Sequence, residues 1–105
     1  MQQMLDLDPA RRPMSRRDRF LDYDNRHPEV WQLFCQFSRE AKRAGLSRYS
    51  ARAIVHRIRW ECSVQRHTGD SFRINDHFAG HYARKLIAAD PAQWGGFFEL
   101  REIKD

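Results

Sequence analysis

The 105-residue chain has only two cysteines, Cys35 and Cys62, set far apart in the sequence. Neither has a second cysteine nearby, which excludes a disulfide framework or a zinc knuckle and leaves both as expected reduced thiols within helices. No run approaches the roughly 18–20 apolar residues of a membrane span, and the N-terminus lacks the apolar centre of a secretory signal. A soluble, cytoplasmic protein without membrane contact is therefore expected. Glycine is scarce as well. Gly45, Gly69, Gly80 and the Gly95-Gly96 pair are scattered, and none builds a phosphate-cradling loop. No Ser-His-Asp or Cys-His arrangement is supported, because both cysteines fall on helical core positions where thiols are inert. Neither catalysis nor a cofactor is expected.

What the chain does have is charge. Hydrophobic residues make up 41% and charged residues 31%, with 19 Lys and Arg against 14 acids and a formal net charge of +5. A domain of this length can bury one modest core, and its excess of cations favours polyanionic partners. Residues 1–20 hold Pro9, Pro13 and five arginines but few large apolar groups before Phe20. They read as a flexible basic arm ahead of a single, mainly helical domain over 21–105.

The periodicity from Leu21 onward predicts helix, helix, short strand, helix, strand. Val30, Leu33, Phe34, Phe37, Ala41 and Ala44 recur at three and four residues and form one apolar stripe. Pro28 suits the first turn of that helix, and Gly45 suits its stop. A second helix is expected from an Ser50 N-cap to about Val64, burying Ala51, Ile54, Val55, Ile58 and Cys62. Phe72-Arg73-Ile74 alternates like a very short strand. Asn75 would cap a third helix to about Ala89, ended by Asp90-Pro91, with Phe78, Ala79, Tyr82, Ala83, Leu86 and Ala89 inward. Phe97 to Ile103 reads as the last strand, with Phe97 on its polar side. Trp31, Trp60 and Trp94 are assigned to core packing, with stacking on unpaired bases or anchoring a protein partner as the alternative for Trp60, which lies opposite the apolar stripe of its helix, and for Trp94 and Tyr49. The fold class expected is mainly α with a short β-hairpin: three helices in a winged-helix-like, helix-turn-helix-like single domain, though the 65–74 connection is long for that motif.

The cations are not evenly spread. From Lys42 to Trp60 no acid occurs, while Lys42, Arg43, Arg48, Arg52, Arg57 and Arg59 all do, together with His56. Guanidinium groups bond phosphate oxygens bidentately and release condensed counterions, so this stretch is the leading candidate for binding nucleic acid or an acidic partner. Arg57 stands four residues before Glu61 and is expected to pair with it along the helix. The third helix offers a second surface, with Asn75, His77 and His81 nearest base edges and Arg84 and Lys85 nearest phosphates. His77 and His81 have the spacing of two metal ligands on one helix, but no third ligand accompanies them, and they read as surface histidines. Glu102-Ile103-Lys104 with Asp90 matches an acid-x-lysine nuclease pattern too short to carry weight.

Pro28-Glu29-Val30-Trp31 with Phe34 and Phe37, Tyr49-Ser50-Ala51-Arg52-Ala53-Ile54, Arg57-Ile58-Arg59-Trp60-Glu61, Phe72-Arg73-Ile74-Asn75, Tyr82-Ala83-Arg84, Pro91 and Phe97-Phe98 together carry a resemblance. The chain resembles a family of small uncharacterised proteins of bacteriophages, prophages and bacterial mobile elements, over about residues 20 to 103. Arg-Ile-Arg-Trp-Glu is the most specific part of the likeness. The family pattern commonly has asparagines after the short strand, whereas here Asn75 is followed by Asp76 and His77. The resemblance implies a mobile-element context in a bacterial host cell. There the expectation is DNA binding, or docking as an inhibitor or adaptor on a host nucleic-acid-processing or defence complex.

Overall fold

The computed structural model describes residues 13–65 and 74–99 of the chain. The Ser15 hydroxyl accepts from the Asp18 amide (3.1 Å) and caps the first helix, α1, Arg16–Arg26. This corrects the boundary of the expected arm, since Phe20 lies in the core at 4% exposure and the chain is helical from Arg16. Phe20, with Tyr23 packed on Phe78 (5.3 Å) and Asp24 bonded to Lys85 (2.6 Å), anchors an otherwise polar helix, and an Arg26–Asp22 ion pair (3.0 Å) four residues apart lies along it. Residues 1–12 of that arm lie outside the described residues.

Pro28 opens α2, Pro28–Arg43, as its position at the first turn predicts. The helix ends at Gly45, whose φ of +98° a side chain would strain. Gly45 N–H donates to the Lys42 carbonyl (3.1 Å) and Leu46 N–H to that of Ala41 (3.3 Å), the paired bonds of a Schellman stop. Two residues, Tyr49–Ser50, form β1, and Ser50 then caps α3, Ala51–Trp60, by accepting from the Ala53 amide (3.2 Å). Ser50→Ala is expected to lower stability by about 1 kcal/mol, read as a shifted urea midpoint, and Ser50→Asp to restore most of it. Beyond Trp60 the coil widens into a π-helical turn, Glu61–Gln65.

The last expected helix starts later than its sequence signal. Asn75 Oδ1 accepts from the His77 amide (2.9 Å) in a side-chain-closed turn, and α4 runs Phe78–Ala89. Asp90-Pro91 ends α4 as expected, but Asp90 also caps a further short helix, α5, Pro91–Trp94, by accepting from the Gln93 amide (3.3 Å). The described chain therefore has five helices rather than three. β2, Phe98–Glu99, pairs with β1 in parallel, Tyr49 opposite Phe98. This two-stranded sheet replaces the expected hairpin among the described residues, because Tyr49 N–H donates to the Phe97 carbonyl (2.9 Å) and ties two distant segments side by side. The Phe72-Arg73 part of the first expected strand and residues 100–103 of the last lie outside the described residues, and Ile74 is not in a strand.

The core is mainly aromatic. Tyr82 is edge-on to Phe20 (centroids 4.7 Å apart) and stacks on Phe34 (5.4 Å) and Trp31 (6.4 Å). Phe34 continues to Phe98 (5.7 Å), which stacks on Trp94 (6.0 Å). Phe97, expected on a polar side, is buried edge-on against Trp94 (5.3 Å), since it lies before β2 and outside the alternation of that strand. Ala44 and Ala89 are exposed instead of buried, each sitting at its helix end where the stripe leaves the core. Cys62 is buried, whereas Cys35 is only half-buried at the edge of that core.

Candidate nucleic-acid interface

On α3 the residues Arg52, His56 and Arg59 fall at four- and three-residue steps, away from the buried Ala51, Ile54, Val55 and Ile58. The helix thus packs on α2 and α4 through one side and shows cations on the other. Arg59 is not free there. Its guanidinium donates to the Ile74 carbonyl (Nε at 3.2 Å, Nη2 at 2.5 Å) and to Asp76 Oδ1, pinning the approach to α4 onto α3. His56 Nε2 lies 3.8 Å from the same carboxylate. The bond from Arg59 holds the Asp76 carboxyl below the usual carboxylate range, with attraction from His56 and Arg52 adding to it. One acid that has no local spacing to α3 therefore offsets part of its positive face.

The other candidate residues do not converge on this face as a single patch. Lys42 donates to the Gln93 carbonyl and sits over the rings of Trp94 (4.9 Å) and Phe97 (5.5 Å). Lys85 is bound to Asp24 on α1 (2.6 Å) and lies over Trp31 (4.3 Å). These two lysines cap the ends of the aromatic core, which redirects them from phosphate contact to packing. His81 stacks on Phe20 (5.1 Å), so the outward side of α4 assigned from sequence is partly covered by α1. Asn75 is spent on its turn; His77 is exposed at the N-cap of α4, and Arg84 lies exposed along that helix.

Arg57 departs from its expected partner. It bonds Glu40 on α2 (2.8 Å) rather than Glu61, and covers the Phe37 ring (3.9 Å). Bonds from Gln36 and then Arg57 hold the Glu40 carboxyl below its ordinary value. Arg43, Arg48 and Arg52 remain exposed, and no hydrogen bond or ion pair holds them among the described residues. Together with His56 they are the part of the basic stretch available to a polyanion.

Sequence reasoning also misplaced one aromatic. Trp60 stands 53% exposed on α3, while Trp94 is buried at 2% and Trp31 is half-buried against the core. The signal was present: Trp60 is four residues after His56 and lies off the apolar stripe of its own helix. A separate open groove of about 250 Å³ between α2 and α3, which Trp60 does not line, is bordered by Phe37, Leu46, Tyr49 and Ile54 and by the paired Glu40 and Arg57. Among the described residues no group of three His, Cys, Asp or Glu side chains is placed to hold a metal ion, and no helix is long and apolar enough to cross a membrane. No protein-family model, curated protein or solved structure matches this chain.

Proposed function

We propose that this protein is a small, non-catalytic nucleic-acid-binding domain, of the kind phages and mobile elements encode, and that α3 presents its contact face. The observation that carries this reading is the set Arg43, Arg48, Arg52 and His56, exposed from the end of α2 through α3, with Asp76 meeting His56 and Arg59 on that face among the described residues. In a winged-helix arrangement α3 and α4 would be the paired helices. The packing of α3 on α4 supports that arrangement in part, while the coverage of His81 and Lys85 shifts the contact from α4 to α3.

Each phosphate neutralised on a duplex contributes about −0.9 to the slope of log affinity against log salt. The double variant Arg48→Ala/Arg52→Ala is expected to weaken duplex DNA binding at low salt and to make that slope shallower by about 2, measured by fluorescence anisotropy. Both arginines are exposed, so the fold should be unchanged by circular dichroism. Flat, weak binding of both duplex and single-stranded DNA by the wild type at low salt would overturn the reading. The competing occupant of the same cations is an acidic surface on a host protein complex, and it is revealed by a partner that survives nuclease treatment of the lysate in a pull-down.

A further inference from the structure

We infer that Trp60 is a stacking platform for an unpaired base, so that the α3 face is built for single-stranded rather than duplex nucleic acid. This deepens the nucleic-acid reading above and rests on it. An indole with half its surface in water is costly unless something covers it, and on its own helix Trp60 follows Arg52 and His56 at four-residue steps, off the apolar stripe. His56 precedes Trp60 by one helical turn and Arg52 precedes His56 by another, so all three lie along one exposed arc. A strand of nucleic acid lying across that arc would set phosphates against Arg52 and His56 and a base face against the indole. Every base has such a face, and stacking on it needs no particular sequence. In a duplex these faces are occupied by neighbouring bases, and the indole would meet only the edge of the stack.

The residue next to Trp60 adds rigidity. Arg59 is held by Ile74 and Asp76, and the coil changes to the π-helical turn directly after Trp60. The helix that carries the ring is thus tied to the segment before α4 one residue away, which lowers the ordering lost on binding. Val64, also exposed, continues the same surface by one turn.

The test is a fluorescence titration with an oligothymidylate and with a mixed-sequence duplex of equal length. Trp60 is the most exposed of the three tryptophans, so quenching on binding reports chiefly on it. The wild type should be quenched by the oligothymidylate and should prefer it to the duplex. Trp60→Ala should lose affinity for the oligothymidylate by about tenfold while duplex binding changes little, and Trp60→Phe should retain most of the affinity. An unchanged oligothymidylate affinity in Trp60→Ala, with salt-dependent duplex binding intact, would overturn the stacking role alone. Binding of neither nucleic acid by the wild type would overturn both readings. A nuclease-resistant protein partner lost in Trp60→Ala would overturn this one in favour of protein docking.

Discussion

Phe34→Ala is expected to remove about 3–5 kcal/mol of stability. Phe34 is fully buried on α2 at 0% exposure, and its ring stacks on Trp31 and Tyr82 and tilts against Phe98. It therefore joins three separate parts of the chain: α2, α4 and the β2 strand. Truncation removes the transfer free energy of the ring and leaves a cavity walled by other rings, which are too stiff to collapse into it. A domain of this size has a total stability of only about 5–15 kcal/mol, so the variant should unfold at a far lower urea concentration, with reduced near-ultraviolet circular dichroism before the transition. Phe34→Leu keeps most of the volume and should lose less than half as much. A loss under about 1 kcal/mol for Phe34→Ala would contradict the central position of this ring.

Helices α2, α3 and α4 were legible because each carries a stripe at helical spacing and a local stop or start. Pro28 and Gly45 bound α2, Ser50 caps α3, and Asp90-Pro91 ends α4. Two features were hidden for physical reasons. The first is α1, whose composition is that of a solvated tail; it is placed by Phe20 against Tyr82 and Phe78, contacts that lie about sixty residues along the chain and leave no local pattern. The second is the parallel pairing of Tyr49–Ser50 with Phe98–Glu99, which neither two-residue strand announces by alternation. Asp90 carries two roles at once, ending α4 and capping α5, and a proline after it signals only the stop.

The candidate site was legible as a stretch but not as a surface. The lack of acids between Lys42 and Trp60 is visible in the sequence, yet the partners that remove cations from it stand elsewhere. Lys42 meets Gln93, Arg59 meets Asp76, and on α4 Lys85 meets Asp24. Spacing rules find pairs three or four residues apart on one helix, and the structure uses those rules for Arg26 with Asp22. The pairs that reshape the basic face all cross between elements, α2 to α5 for Lys42, α3 to the segment before α4 for Arg59 and α4 to α1 for Lys85, so only the packing reveals them. The same packing shows Trp60 in solvent, where residue type alone argues for the core.

Raising the pH above 10 is expected to unfold the domain cooperatively, driven by the two tyrosines at the seam of α1, α2 and α4. Tyr82 is fully buried, Tyr23 is half-buried beside Phe78, and among the described residues neither hydroxyl has a hydrogen-bond partner. Burial pushes the Tyr23 phenol up to about 12, with Glu29 adding repulsion, and pushes that of Tyr82 higher still, with Asp24 adding to it. The direction of the effect follows from proton binding. Both folded-state values are raised above the 10 of an unfolded chain, so above that pH the unfolded state loses protons that the folded state keeps. Their contribution is whole below about pH 10 and falls by about 1.4 kcal/mol for each tyrosine per pH unit above it. For Tyr23 the fall ends near pH 12; for Tyr82 it continues beyond. Tyr82→Phe removes a buried hydroxyl without a partner and leaves the ring in place, so stability at neutral pH should be equal or higher. Its stability should also decline about half as steeply between pH 10 and 12 as that of the wild type, measured by urea titrations across that range. Identical alkaline limbs for wild type and Tyr82→Phe would show that this phenol is already ionised in the folded state, against its position between Phe20, Trp31 and Phe34.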